Sequence, residues 1–175
     1  MWKRTSKYRL KEVVVTTIER YIRHDAWAAV EGARGEMLFF LRFRTPVLES
    51  REVGEYSHRL SVIWEYAIEN TADLPDDGES RRMEVFENRL VDAWEREATA
   101  VLTAVLTFDG ARQWVFYTRD LDECAKLLGE MPQNDEPYPI ELTAEEDADL
   151  TYLRNQVLSL VSYQDYQAKW QAEFV

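Results

Sequence analysis

The segment that most constrains the fold is a pair of apolar runs joined by a two-residue turn. Residues 99–108 (TAVLTAVLTF) are apolar on both faces, which is typical of a strand in the middle of a sheet. Asp109 and Gly110 follow, and this dipeptide indicates a tight hairpin because glycine accepts the positive φ that such turns require. Residues 112–118 (RQWVFYT) predict the antiparallel return strand. A chain with this hairpin must build a sheet around it.

Further strands and helices are predicted on both sides of the hairpin. The apolar patterns predict strands at 25–32, 36–44, 59–69 and 138–142, the last of them at a sheet edge. Apolar residues at helical spacing predict helices that begin with N-caps at Ser80, Asp120 and Thr143. Residues 8–22 fit either a helix or a strand, and we interpret them as a helix.

From residue 59 onwards the predicted order is strand, helix, strand, strand, helix, strand. This order predicts an α+β fold of the ferredoxin-like type, an antiparallel sheet with helices on one face, extended by the N-terminal strands and a C-terminal helix. We expect a single domain at 25–160, after an N-terminal extension at 1–24. The tail at 161–175 either continues the last helix or folds back onto the domain.

Charge is unevenly distributed along the chain and limits the partners that it can have. The net charge is −12, but residues 1–44 carry +5 and residues 45–175 carry −17. An acidic body repels phosphate backbones, so we expect no direct binding to nucleic acid. A basic protein surface is the partner that such a body would attract.

The sequence favours a cytoplasmic protein that does not enter a membrane. No apolar run approaches the roughly 20 residues that span a bilayer, and the N-terminal residues do not resemble a signal peptide. Cys124 is the only cysteine and cannot form an internal disulfide, which fits a reducing compartment. The two histidines, His24 and His58, have no neighbours at ligand spacing, so we expect no metal and no cofactor.

Three polar side chains near the hairpin are candidates for binding or chemistry. Arg112 and Asp120 could hold an anion, and Tyr117 could act as an acid, although turn and cap requirements explain Asp120 equally well. Gly110 alone accounts for the turn. Arg112 therefore has no role in the turn, and we expect it to pair with an acidic neighbour or with a partner.

Two other groups are candidates for a protein interface. Trp27 and Trp170 lie near the ends of predicted segments, where a tryptophan ring can anchor a partner. Glu145, Glu146 and Asp147 place carboxylates in the first turn of the predicted last helix. The same carboxylates could face a basic partner.

Several of these segments resemble the domain of unknown function family 695. The similarity lies in DAWAAVEG at 25–32, FFLRF at 39–43, TFDGARQWVFYTRDLDE at 107–123, and PYPIEL and EEDADLTYL at 137–142 and 145–153. The matching positions are Trp27, Gly110, Arg112, Val115, Phe116, Tyr117, Asp120, Tyr138, Ile140, Glu141 and Asp147. The resemblance covers about residues 25–155, and it departs from the family in the loop at 45–58 and at 150–151, where a tryptophan is usual. Relatives of the family include the ribonuclease E inhibitor B proteins, which are ferredoxin-like and bind a protein, so the resemblance implies a regulatory binding role.

We therefore expect a non-enzymatic, acidic protein-binding module. Such a module would regulate or inhibit a basic protein such as a nuclease or a toxin, in the manner of an immunity protein. Two alternatives remain open. One is an enzyme or small-ligand binder with a cleft beside the hairpin at 107–120, and the other is a structural module that self-associates, for example as a homodimer.

Overall fold

The computed structural model describes residues 15–69 and 74–161. Its strands are β1 (Ala26–Arg34), β2 (Met37–Thr45), β3 (His58–Glu65), β4 (Ala100–Phe108), β5 (Ala111–Thr118) and β6 (Ile140–Glu146). Its helices are α1 (Thr17–His24), α2 (Ser50–Val53), α3 (Asp77–Glu95) and α4 (Leu121–Glu130), followed by a π-helical turn (Leu153–Val157) and a 3₁₀ turn (Leu158–Leu160).

The six strands form one antiparallel sheet in the order β1-β2-β4-β5-β3-β6. The predicted central hairpin is confirmed, because β4 and β5 lie in the middle and Phe108 pairs with Ala111 across the turn. Asp109 and Gly110 have φ values of 49° and 72°, which is the left-handed backbone of a hairpin turn. A mixed α and β fold is confirmed, and its sheet has two strands more than a four-stranded ferredoxin-like sheet.

Helices cover both faces of this sheet, so the expectation of helices on one face is wrong. On the face that we call the α3 face, α3 and α4 pack on the apolar side chains of β3, β4 and β5. On the opposite face, called the α1 face, α1, α2 and the turns at 153–160 pack on β2, β4 and β5. The reason is visible in the central strands. Phe116 and Val115 of β5 are both fully buried but point to opposite faces, and each face needs its own cover.

The predicted helix that begins at Thr143 is also wrong. Residues 140–146 continue as β6, which pairs with β3 from Trp64 opposite Ile140 to His58 opposite Glu146. Seven cross-strand pairs outweigh the local capping signal of Thr143 and Glu146. Helical turns begin only at residue 151.

The remaining helix predictions hold with small shifts of their starts. Asp120 caps α4 as predicted, since its side chain accepts a hydrogen bond from the Glu123 amide at 2.9 Å. The helix expected from Ser80 begins earlier, with Asp76 as its N-cap. The helical interpretation of residues 8–22 is confirmed for α1, and residues 8–14 lie outside the described part of the chain.

The aromatic packing under α3 leads to the first prediction. Phe86 is fully buried, and its ring centroid lies 5.3 Å from that of Trp114 and 5.5 Å from that of Trp64. We expect Phe86→Ala to lower the free energy of unfolding by about 3–5 kcal/mol, because it leaves a cavity between these rings. Denaturant unfolding followed by tryptophan fluorescence measures the change.

Val85→Ala is the matched control, because Val85 is the preceding residue on α3 and is 44% exposed. We expect it to change the free energy of unfolding by no more than about 0.5 kcal/mol. Similar losses for both variants would contradict the assignment of Phe86 to the core.

Candidate functional site

The three candidates near the hairpin do not form one site. Arg112 and Tyr117 both belong to β5, but Arg112 pairs with Trp64 on the α3 face, whereas Tyr117 is part of the core on the α1 face. Asp120 lies beyond the end of β5, where its side chain caps α4. Alternation along the strand therefore separates the groups that the sequence analysis placed together.

Arg112 lies in a polar cluster on the α3 face. The cluster gives this arginine, which has no role in the turn, polar and acidic neighbours. Its Nε donates to Thr107 Oγ1 at 2.9 Å. Burial lowers the pKa of Arg112, the nearby Arg42 lowers it further, and the carboxylate of Glu87 opposes both. Glu87 forms an ion pair with Arg42 and accepts a hydrogen bond from Trp114 Nε1 at 2.7 Å. The Glu87 carboxylate thus forms an ion pair with Arg42 and acts on Arg112 through its charge.

Trp27 extends this cluster towards the outer strands. The centroid of its ring lies 4.8 Å from Cζ of both Arg42 and Arg44, and its Nε1 donates to Asp25 Oδ1 at 2.8 Å. The arrangement is a cation–π contact of two guanidinium groups with one indole. Trp27 is therefore engaged by neighbours within its own chain.

Arg44 connects β2 to α3 through a buried ion pair. The residue is 2% exposed and lies 3.1 Å from Glu95 and 3.4 Å from Asp25. Burial raises the pKa of Glu95, while Arg44 and the Leu102 amide, which donates to Glu95 at 2.8 Å, oppose the rise. A buried pair of this kind is costly to break on one side only, because the remaining charge is left without a partner.

A second polar network lies on the α1 face, next to β6. Tyr117 donates to Asp147 Oδ2 at 2.7 Å. Arg59 pairs with Glu145 at 2.8 Å, and its Cζ lies 3.8 Å from the ring centroid of Tyr152. The sequence candidates Tyr117, Glu145 and Asp147 therefore come together here, through Arg59 and Tyr152.

The surroundings of Tyr117 favour the neutral form of its phenol. Burial raises its pKa well above the usual range, and the hydrogen bond to the Asp147 carboxylate adds to the effect. Burial also disfavours ionisation of Asp147. However, the hydrogen bonds from Tyr117 and from the amides of Thr151 and Tyr152 outweigh burial and hold the pKa of Asp147 below its usual range. This arrangement keeps a neutral phenol donating to a charged carboxylate, which is a structural contact.

Four exposed acidic residues lie on the edge strand β6 or just after its end. We call these carboxylates the acidic edge, and they are Glu141, Glu145, Glu146 and Asp149. Among the described strands, β6 has only β3 as a neighbour. Leu142, between the first two of these acids, is 41% exposed. The sequence analysis identified the carboxylates of Glu145 and Glu146 but placed them on a helix.

A cleft of about 470 Å³ opens elsewhere, on the α1 side of the molecule. Its lining consists of Val47, Leu48, Glu49, Arg154, Leu158, Ser159 and Val161. None of the residues singled out in the sequence belongs to it. Trp170 lies outside the described residues.

Comparison with known families identifies the family of the chain. The sequence model of one family matches residues 25–155, which is 131 of the 175 residues. The chain belongs to the DUF695 family, a family of unknown function. No curated protein and no solved structure matches it. The resemblance noted from the sequence is confirmed, and DUF695 membership assigns no activity.

Two features are absent from the described part of this DUF695 chain. Within residues 15–69 and 74–161, no group of three or more His, Cys, Asp or Glu side chains could hold a metal ion. No helix in the same part of the chain is long and apolar enough to cross a membrane.

Several residues of the two networks in the DUF695 chain escaped the sequence analysis. Arg42 and Arg44 stand at alternate positions of β2, on either side of Phe43, and such charges in an apolar strand are a signal that buried partners exist. Glu87 carries no signal of its own, because charged residues are frequent along α3. Its partners become apparent only when α3 is placed over the sheet.

Glu87 leads to the second prediction. We expect Glu87→Gln to lower the free energy of unfolding of the DUF695 chain by about 1–3 kcal/mol, because it leaves Arg42 and Arg112 close together without an anion. Glu84→Gln, at an exposed position one turn earlier, is the control and should have little effect. Denaturant unfolding at neutral pH checks both variants, and equal stabilities would refute the role of Glu87.

Asp147 leads to the third prediction, on pH dependence. Its pKa in the folded chain lies below the ordinary value of 3.8, so its contribution to stability is complete above that value and is lost as the pH falls through the folded pKa. We expect Asp147→Asn to destabilise the DUF695 chain at neutral pH, and the difference from wild type to shrink below about pH 4.

Urea unfolding at several pH values measures this difference. Asp149→Asn is the control, since Asp149 is an exposed acid two residues later. A difference between wild type and Asp147→Asn that stays constant down to low pH would contradict the role of the Asp147 carboxylate.

Proposed function

We propose that this chain is a non-enzymatic protein-binding module whose acidic edge docks onto a basic surface of a partner protein. The observation that supports this most directly is the concentration of exposed carboxylates on one free strand. Glu141, Glu145 and Glu146 are all exposed on β6, and Asp149 follows immediately. Arg59 contacts Glu145, but its own side chain is buried. The four carboxylates give this edge a net negative charge, which Arg59 offsets in part at Glu145.

Such a charge suits recognition more than catalysis. Clustered charges of one sign raise the rate of encounter with an oppositely charged partner and disfavour partners of like charge. The net charge of −17 over residues 45–175 acts in the same direction at longer range. The catalytic alternative beside the hairpin finds less support, because Arg112 and Tyr117 point to opposite faces of the sheet.

Within this class, we propose a regulatory or inhibitory role on a basic protein. An inhibitor of a nuclease or toxin must cover a positively charged surface, and an acidic sheet edge provides the complementary charge. The order β4-β5-β3-β6, with α3 and α4 as the connections, supports a ferredoxin-like core to which β2 and β1 are added. Such a core also supports kinship with the ribonuclease E inhibitor B proteins. We further propose that the chain acts in the cytoplasm.

The fourth prediction tests the acidic edge with a charge reversal. A partner is recovered by affinity purification of the full chain from its native host at low salt, and its affinity is then measured by calorimetry. We expect the paired variant Glu141→Lys/Glu146→Lys to weaken binding by about tenfold or more, because two attractive contacts become repulsive. Raising the ionic strength should weaken wild-type binding strongly.

Glu31→Lys/Glu36→Lys is the matched control. It makes the same change of net charge at two exposed positions away from β6, Glu31 on the opposite edge strand β1 and Glu36 in the turn between β1 and β2. Binding should stay within about threefold of wild type in this variant. Equal weakening by both pairs would reject the acidic edge as the docking site, and an affinity independent of salt would reject the electrostatic mechanism.

A further inference from the structure

The free side of β6 is equipped to accept another strand. β6 pairs with β3 over seven residues, from Ile140 to Glu146. No strand in the described part of the chain pairs with its other side. Alternate backbone N–H and C=O groups of an edge strand point away from the sheet and are open to a partner chain. This inference rests on the proposed function and specifies how the acidic edge recognises its partner.

The side chains of β6 divide into an acidic face and an apolar face. Glu141 and Glu145 lie opposite Ile63 and Arg59, on the α1 face of the sheet. Their spacing of four residues corresponds to about 13 Å along a strand. On the α3 face, Ile140, Leu142 and Ala144 lie opposite Trp64, Val62 and Leu60. A strand added to β6 would therefore meet Glu141 and Glu145 on the α1 face. On the α3 face it would meet the apolar Ile140, Leu142 and Ala144, followed by Glu146 at the end of the strand.

Two copies of β6 do not fit this pattern in the register centred on Thr143. If two β6 strands paired antiparallel about Thr143, Glu141 of each copy would lie opposite Glu145 of the other. Like charges directly opposite each other destabilise a strand pair. This fully overlapping β6–β6 pairing is therefore disfavoured, whereas an incoming strand that carries cations would avoid the repulsion.

We propose that β6 accepts a strand of a partner protein by β-sheet augmentation, and that the recognised segment alternates basic with apolar residues. Two Lys or Arg side chains four residues apart would reach Glu141 and Glu145. The apolar residues between them would cover Leu142, which is 41% exposed on the α3 face of β6. Backbone hydrogen bonds supply affinity in this mode, and the alternating side chains supply specificity.

A synthetic peptide tests the mode of recognition separately from charge. The probe is a short peptide in which Lys, Arg and Lys alternate with Val and Leu, and its control has the same composition with the three cations adjacent. Both are titrated into the full chain, and binding is followed by calorimetry and amide hydrogen exchange. We expect the alternating peptide to bind at least about tenfold more tightly than the control and to protect the amides of β6.

Methylation of the peptide backbone sharpens the test. Methyl groups on the alternate amides that face β6 should abolish binding, while methyl groups on the intervening amides should leave it nearly unchanged. Glu141→Gln/Glu145→Gln should weaken the alternating peptide, and Glu31→Gln/Glu36→Gln should not. Equal binding of the two peptides, or no effect of methylation in either set, would overturn strand augmentation. The charge-reversal experiment on the natural partner would then still decide the proposed function.

The chain's own residues 7–11 (KYRLK) have the same alternation, although they lie outside the described residues. These residues of a second copy of the chain could pair with β6 in place of a partner protein. Analytical ultracentrifugation of the full chain and of a Lys7→Glu/Lys11→Glu variant tests whether they do. We expect both proteins to sediment as monomers. A wild-type dimer that the variant loses would overturn the assignment of the segment to a different protein.

Discussion

Burial of both faces of the β4–β5 hairpin is the constraint on which the rest of the structure depends. Trp114 and Phe116 fill the α3 face, whereas Val115 and Tyr117 fill the α1 face, and all four are fully buried. A strand that is apolar on both sides must be covered on both sides. The chain therefore needs α3 and α4 on one face of the sheet and α1, α2 and the turns at 153–160 on the other.

The sequence predicts the features that depend on local chemistry. The Asp109-Gly110 turn, the Asp120 cap and the alternation of β2 each follow from neighbouring residues, and each occurs in the structure. The failures share one cause. Thr143 and Glu146 have the local chemistry of a helix start, but pairing with β3 decides their conformation. Likewise, residues 99–108 are apolar on both faces, but which segments cover each face depends on tertiary contacts.

In the candidate site too, the sequence indicates which residues need a partner, whereas the fold decides which partner each one has. An arginine without a role in the turn pointed to an acidic neighbour. Glu87 acts on Arg112 through its charge and forms its ion pair with Arg42, from a helix that must first dock over the sheet. Alternation along β5 could have shown that Arg112 and Tyr117 face opposite ways, because they are five residues apart. By contrast, no local pattern joins Tyr117 to Asp147, since their contact requires β6, β3 and β5 to be neighbours.

Charge on an edge strand has two consequences that act together. Charged side chains along an edge strand are a common protection against pairing of identical copies through free backbone groups. In the proposed mode, the carboxylates of β6 would leave those backbone groups open to a strand that brings cations, because repulsion then becomes attraction. On this proposal, protection and recognition are one property of the acidic edge. The exposed Leu142 favours the second use, since a strand that needed only protection would gain nothing from an apolar side chain beside its charges.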